Sequence, residues 1–267
     1  MTAVAAPEMV TGFLRATRRL SPDTFWLDIE TPAADRFRAP GCFVKLRGWP
    51  ESGPGPLLDR PFSIHRVQAG GVQILLRRVG PATRLLSELA PGAPLRLTGP
   101  LGRSLDVLAA GLSDFYLAAG GIGLAPMPLV RDWLEASGRQ GRLFYGERSA
   151  SGQAPRDWLA SWAGDFTATV DDGSGYGRKG LVTEALAEAL GREPRPIFAC
   201  GPVPMLGAVS ALAENFGVTP LVSVEAGMAC GLGVCLGCSL PLKAGGRFLV
   251  CREGPAVDGR TLDWGAA

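Results

Sequence analysis

Between Val10 and Thr98 the chain sets short apolar or alternating runs between Pro/Gly-rich breaks: FWLDIE (25–30), CFVKLRG (42–48), PFSIHRV (61–67), VQILLRRV (72–79) and PLRLTG (94–99). Side chains on a strand alternate between its two faces, so this pattern predicts a small antiparallel barrel or sandwich. One helical interruption is expected over Thr83–Leu89, where TRLLSEL spaces its leucines helically and Pro91 and Gly92 close it. After Gly102 the pattern changes. Buried runs (DFYLAAG, RLFYGER, PIFACG) alternate with helical ones (APMPLVRDWLEASG, PVPMLGAVSALAENFG), the arrangement of a parallel sheet with helices on both faces. From Val222 onward periodicity is lost and Cys and Gly accumulate, so the last segment needs a bound metal or cluster to fold. The fold class expected is multidomain α/β, with a β-barrel over 1–103, a parallel-sheet α/β domain over 104–221 and a small cluster domain over 222–267.

Composition narrows the chemistry. With 27 Lys and Arg against 25 Asp and Glu, the net charge of +2 makes no case for a nucleic-acid or anionic-membrane partner. The longest apolar stretch, around Phe115 to Val130, is broken by glycines and prolines and is shorter than the ~20 residues that span a bilayer. The first ten residues, MTAVAAPEMV, lack the basic and apolar regions of a signal peptide, so the expected location is cytoplasmic. A single histidine, His65, leaves no material for a Ser-His-Asp triad or a His-rich metal site. Bound cofactors must therefore carry any reaction.

Of six cysteines, four follow the spacing C-x4-C-x2-C-x12-C at Cys230, Cys235, Cys238 and Cys251. Thiolates suit iron-sulfur clusters or zinc. This is the plant-type spacing of [2Fe-2S] ligands, whereas structural zinc more often uses two C-x2-C knuckles and only one is present. Gly231, Gly233 and Gly237 alternate with the ligands and let the backbone wrap an inorganic core. Cys42 reads as a small core residue; Cys200, at a strand end, reads equally as cofactor-facing or as packing.

Two further segments are candidate cofactor sites. Gly120, Gly121 and Gly123 join a strand to a helix, where glycine admits a phosphate to the helix N-terminus; the strand end Cys200-Gly201 and the loop Asp171–Ser174 fall along the same sheet edge. In the barrel, Arg60, Pro61, Phe62 and Ser63 combine a pyrophosphate-clamping guanidinium with a rigid ring, an aromatic face and a hydroxyl, or they are an ordinary strand start. Arg77, Arg78 and Gly80 to Thr83 are a second phosphate candidate, with Thr83 opening the helix, or a solvated basic face.

Taken in order, RPFS, VGPATRLLSEL, GGIGLAPM, YGER, DDGS, CGPVPML and SVEAGMACGLGVCLGC with VCREGPAVDG resemble the ferredoxin–NADP reductase superfamily. Within it the chain is similar to the iron-sulfur electron-transfer subunits of NAD-linked two-component dihydroorotate dehydrogenases, over Val10 to Trp264. The resemblance implies FAD on Arg60, Pro61, Phe62 and Ser63, with Leu76, Arg77, Arg78, Ala82 and Thr83 on its ribityl and phosphate portion. It implies NAD(H) at Gly120, Gly121, Gly123, Cys200 and Gly201, and a [2Fe-2S] cluster on the four cysteines. It also implies a catalytic partner holding FMN and the pyrimidine substrate, in a heterotetramer of two of each subunit, with electrons passing from dihydroorotate to NAD+. Gly227 and Ala82 depart from the family pattern, where arginine and glycine are usual. Other readings are a related NAD(P)H reductase subunit serving ferredoxin, sulfide or glutamate-synthase chemistry, and a zinc-stabilised module without redox activity.

Overall fold

The computed structural model describes residues 4–52 and 55–266; residues 1–3, 53–54 and 267 lie outside the described residues. Six strands, β1 (Glu8–Arg19), β2 (Thr24–Glu30), β3 (Phe43–Arg47), β4 (Arg60–Gln68), β5 (Gly71–Arg77) and β6 (Pro94–Leu101), close an antiparallel barrel in the order β1-β2-β5-β4-β3-β6. The alternation read from the sequence fills its interior: Leu27 and Ile29, Val44 and Leu46, and Val72, Ile74 and Leu76 all face the same core. Leu75 points the other way and packs with the neighbouring domain. Helix α1 (Pro81–Glu88) interrupts the barrel after β5. It starts two residues before Thr83, because proline suits the first helical position.

The second domain alternates α2 (Leu105–Leu108), β7 (Phe115–Gly120), α3 (Met127–Ala136), β8 (Gly141–Glu147), α4 (Arg156–Ala163), β9 (Phe166–Val170), β10 (Arg178–Lys179), α5 (Val182–Arg192), β11 (Ile197–Cys200), α6 (Val203–Asn215) and β12 (Pro220–Ser223). The C-terminal segment adds β13 (Ser239–Pro241), β14 (Arg247–Leu249), α7 (Val250–Glu253) and β15 (Ala256–Asp258). One sheet runs β10-β9-β8-β7-β11-β12-β15, parallel throughout except at β15. Apolar cores cover both faces: Leu117 and Ala119 of β7 enter one, Tyr116 and Ala118 the other. That double burial is why the strands read as unbroken apolar runs.

A division after Leu221 falls inside β12, which pairs with β11 through Ser223. The C-terminal segment is not separate from the sheet either. Its β15 pairs with β12 through Leu221↔Asp258, Val222↔Val257 and Ser223↔Ala256, covering an edge that would otherwise present unpaired backbone groups.

Barrel and sheet domain are locked together. Arg66 of β4 makes a two-pronged ion pair with Asp132 of α3, both contacts at 2.8 Å. His65 is buried against α4, stacked on Trp158 at 5.5 Å, with Nδ1 2.9 Å from the Ala125 carbonyl. Among the described residues no helix is long and apolar enough to cross a membrane.

Candidate redox site

The pairing of β3 with β4, Leu46↔Arg60 through Phe43↔Ser63, places the RPFS segment at the barrel rim facing the sheet domain. There Arg60, Pro61, Phe62, Ser63, Leu76, Arg77, Ala82 and Thr83 line a cavity of ≈ 390 Å³. Its opposite wall is Ile122 and Ala125 from the turn after β7, Cys200, residues 223–226, Met228, Val250 and Pro255. The lining is mainly apolar with a few polar groups, as a cofactor site requires. At one end lies the N-terminus of α1, whose first N–H groups have no partner within the helix and favour an anion. Thr83 shapes this end: its hydroxyl accepts the N–H groups of Val79 (2.9 Å) and Gly80 (3.1 Å). A β-carbon at Gly80 would meet nothing within 4 Å, so the turn is open to a phosphate. Apolar walls, a guanidinium at Arg60 and this helix end fit the ring, ribityl and phosphate parts of FAD.

The two adjacent arginines part company. Arg77 turns to the domain boundary, pairing with Glu147 at 2.7 Å and with Asp23 at 3.6 Å. Arg78 lines neither cavity: its guanidinium sits 4.6 Å over the Phe25 ring and bonds Ser87. Consecutive strand residues face opposite sides, so only one of the pair reaches the interdomain cleft.

A second cavity, ≈ 880 Å³, opens at the carboxyl ends of β7, β8, β9 and β11, with Gly120, Gly121, Gly123, Gly146, Gly201 and Asp171 in its lining. Ligands bind at this edge of open α/β sheets. The glycines are needed for packing. A β-carbon on Gly120 would lie 2.5 Å from Met205 Sδ, and one on Gly123 would lie 1.9 Å from the Cys200 carbonyl oxygen. A dinucleotide fits this open, glycine-floored cleft.

Cys200 lines the first cavity rather than the second. The turn at Gly123 lies over its backbone, and burial together with Glu225 pushes its thiol up to about 12. Arg77, Ile122 and Glu225 line both cavities and so mark where two bound cofactors would meet. Glu225 was not a sequence candidate. The available signal was its place just past the buried strand β12, at the same sheet edge as Cys200; burial raises its carboxyl above the usual range.

The four cysteines sit on the loop before β13 and at the start of α7. They fall in two pairs, the Cys235 N–H pointing at Cys230 Sγ and the Cys251 N–H at Cys238 Sγ, each at 3.5 Å. Among the described residues no three Cys, His, Asp or Glu side chains converge on one metal position. Two pairs suit a cluster of two irons with two thiolates on each. Backbone N–H groups already point at the sulfurs: Leu232 to Cys230 at 3.3 Å and Gly233 to Cys251 at 3.1 Å. The N–H groups of Cys235 and Leu232 hold the Cys230 thiol down to about 6. Gly231 and Gly233 take φ of 76° and 79°, but the third left-handed residue is Leu236 (φ 60°) and not Gly237. Cys238 and Cys251 are buried, Cys235 is exposed, and around it Leu232, Val234 and Leu236 are exposed as well.

The model of the iron-sulfur cluster binding domain of dihydroorotate dehydrogenase B matches residues 225–263. The dihydroorotate dehydrogenase B (NAD(+)) electron transfer subunit of Desulforamulus reducens is 31% identical over 255 residues, 93% of this chain and 96% of the relative. That of Clostridium acetobutylicum is 33% identical over 223 residues, 84% of this chain and 85% of the relative. Among solved structures, that of an NADH-dependent reduced ferredoxin-NADP oxidoreductase superposes with a TM-score of 0.82 at 25% identity, covering 95% of this chain and 90% of the other. A ferredoxin reductase of carbazole 1,9a-dioxygenase shares the fold at a TM-score of 0.64 and 21% identity, over 81% of this chain and 68% of the other.

Proposed function

The chain belongs to the family of dihydroorotate dehydrogenase B (NAD(+)) electron transfer subunits, and from that membership we propose that it passes electrons between NAD(H) and the FMN of a catalytic dehydrogenase that oxidises dihydroorotate to orotate. It is an oxidoreductase subunit that works with FAD, a [2Fe-2S] cluster and NAD(H). When bound, the flavin converts between hydride and single-electron transfer and the cluster carries single electrons.

The observation that carries the reading is a shared wall. Val250, beside Cys251, and Met228, two residues before Cys230, line the cavity that also holds RPFS and the start of α1. Cluster loop and flavin cavity are thus contiguous. In this reading Arg60 and the α1 N-terminus bind the pyrophosphate, while Phe62, Ser63 and Leu76 hold the ring and ribityl portions. Gly120, Gly121, Gly123 and Gly201 leave the backbone bare for the nicotinamide nucleotide. Arg77, tied to Glu147, braces the wall between the two cavities. The exposed Leu232, Val234 and Leu236 around Cys235 form the surface for the catalytic subunit, in an assembly of two of each. A cytoplasmic location suits six cysteines none of which is paired in a disulfide.

The test is reconstitution. Mixed with the FMN-containing dehydrogenase, the subunit is expected to support dihydroorotate-dependent reduction of NAD+, which neither protein should do alone. A second reading, a reductase subunit for ferredoxin, draws on the 0.82 TM-score to the ferredoxin-NADP oxidoreductase. Reduction of ferredoxin by NADH, with no activity alongside the dehydrogenase, would favour it.

A further inference from the structure

Lys45 stands on β3, directly opposite Pro61 of the RPFS segment. Its neighbours Val44 and Leu46 face the barrel interior, so Lys45 faces outward, as Phe43 does, and Phe43 packs in the same core as Cys238 and Cys251. The lysine is only 7% exposed. Its ammonium donates to the carbonyl oxygens of Ala229 and, at 3.4 Å, Cys230, the two peptide units on either side of the first proposed cluster ligand. Gly231 closes over the stem: with φ 76°, a β-carbon there would lie 2.9 Å from Lys45 Cδ and 3.2 Å from Leu101 Cδ1.

Among the described residues no carboxylate lies within ion-pair distance of this ammonium. A hydrocarbon side chain would fill the same space without the cost of desolvating a charge. Carbonyl dipoles offset part of that cost. A bound [2Fe-2S] centre with its four thiolates would supply the counter-charge, being anionic when oxidised and gaining one more negative charge on reduction.

We propose that Lys45 is a positioning residue for the cluster: its ammonium pins the Ala229–Cys230 peptide to the flavin-binding barrel and its charge biases the bound cluster toward the reduced form. Net charge and hydrogen bonding around a cluster set its reduction potential. The same strand pair that presents the flavin motif therefore also tunes the next electron carrier. The inference rests on the four cysteines being cluster ligands.

The experiment is an anaerobic redox titration of the holoprotein, read by the electron paramagnetic resonance signal of the reduced cluster. Lys45→Met keeps the stem and removes the charge, Lys45→Gln keeps amide donors without charge, and Lys45→Arg keeps the charge. We expect the two neutral variants to lower the reduced-to-oxidised ratio at fixed potential about tenfold, ~59 mV for a one-electron couple, with Lys45→Arg close to wild type. A wild-type potential in either neutral variant overturns the proposal. Cluster loss in both neutral variants with retention in Lys45→Arg supports it; loss in Lys45→Arg as well counts against it. Wild-type protein lacking iron and sulfide after anaerobic purification would instead overturn the ligand assignment beneath it.

Discussion

Gly123 and Cys200 meet backbone to backbone: a β-carbon on Gly123 would sit 1.9 Å from the Cys200 carbonyl oxygen and 2.4 Å from its carbonyl carbon. No rotamer relieves a clash between a β-carbon and a main chain, so Gly123→Ala must push the turn after β7 away from the end of β11. The expected cost is about 2–3 kcal/mol of stability, with NAD+ affinity falling at least tenfold because both strands floor the nucleotide cavity. Thermal unfolding and titration with NAD+ measure the two effects; unchanged values in both would show that the turn tolerates a side chain.

Cys235 is the exposed member of the cysteine set and lines neither cavity. Cys235→Ser is expected to leave the unloaded fold within about 0.5 kcal/mol of wild type, to abolish a stable cluster, and to leave flavin reduction by NADH running. Iron and sulfide analysis beside stopped-flow bleaching of the flavin checks the split. Loss of flavin reduction together with the cluster would contradict the separate siting of the two cofactors.

Burial lowers His65 to about 4 from its ordinary value of 6.5, so the ring stays neutral in the fold while the unfolded chain takes up a proton as the pH falls. The unfolded state then binds more protons, and stability declines from pH 6.5 down to about 4. Over that window the loss is on the order of 3 kcal/mol. His65→Phe keeps a ring against Trp158 and removes the titration. Urea denaturation at pH 7 and pH 5 should show a smaller pH-dependent loss in the variant than in wild type; equal losses would mean the imidazole is not the titrating group.

Val234 is 80% exposed beside Cys235, between the exposed Leu232 and Leu236. Exposed apolar patches mark interaction sites, and the proposed function places the catalytic subunit here. Val234→Asp is expected to weaken capture of the catalytic dehydrogenase about tenfold, ~1.4 kcal/mol, without altering the cluster's visible spectrum. Calorimetric titration of the two subunits decides it, and an unchanged affinity would move the interface elsewhere.

Much of this was legible in one dimension. The two-residue alternation of FWLDIE and VQILLRRV is a local property of each strand, and it predicts the barrel; the unbroken runs at DFYLAAG and PIFACG predict a sheet buried on both faces. The spacing of Cys230, Cys235, Cys238 and Cys251 likewise carries its chemistry whatever the surrounding fold. The start of α1 was displaced only because the leucine pattern outweighed the proline at position 81.

Other features depend on which elements the fold brings together. Arg77 and Arg78 are chemically identical neighbours, and their sequence does not say which one turns to the cleft; the pairing of β5 in the barrel and the position of Glu147 on β8 decide it. Cys200 lines the first cavity and not the second, with the Gly123 turn lying across its backbone, and Glu225, just past β12, lines both. Lys45 reaches a peptide 184 residues away. The sequence alone thus determined the element types and the spacing of the four cysteines proposed as ligands, since those follow from local periodicity and spacing. Which side chains share a cavity was decided by strand pairing and interdomain packing, which join residues far apart in the chain.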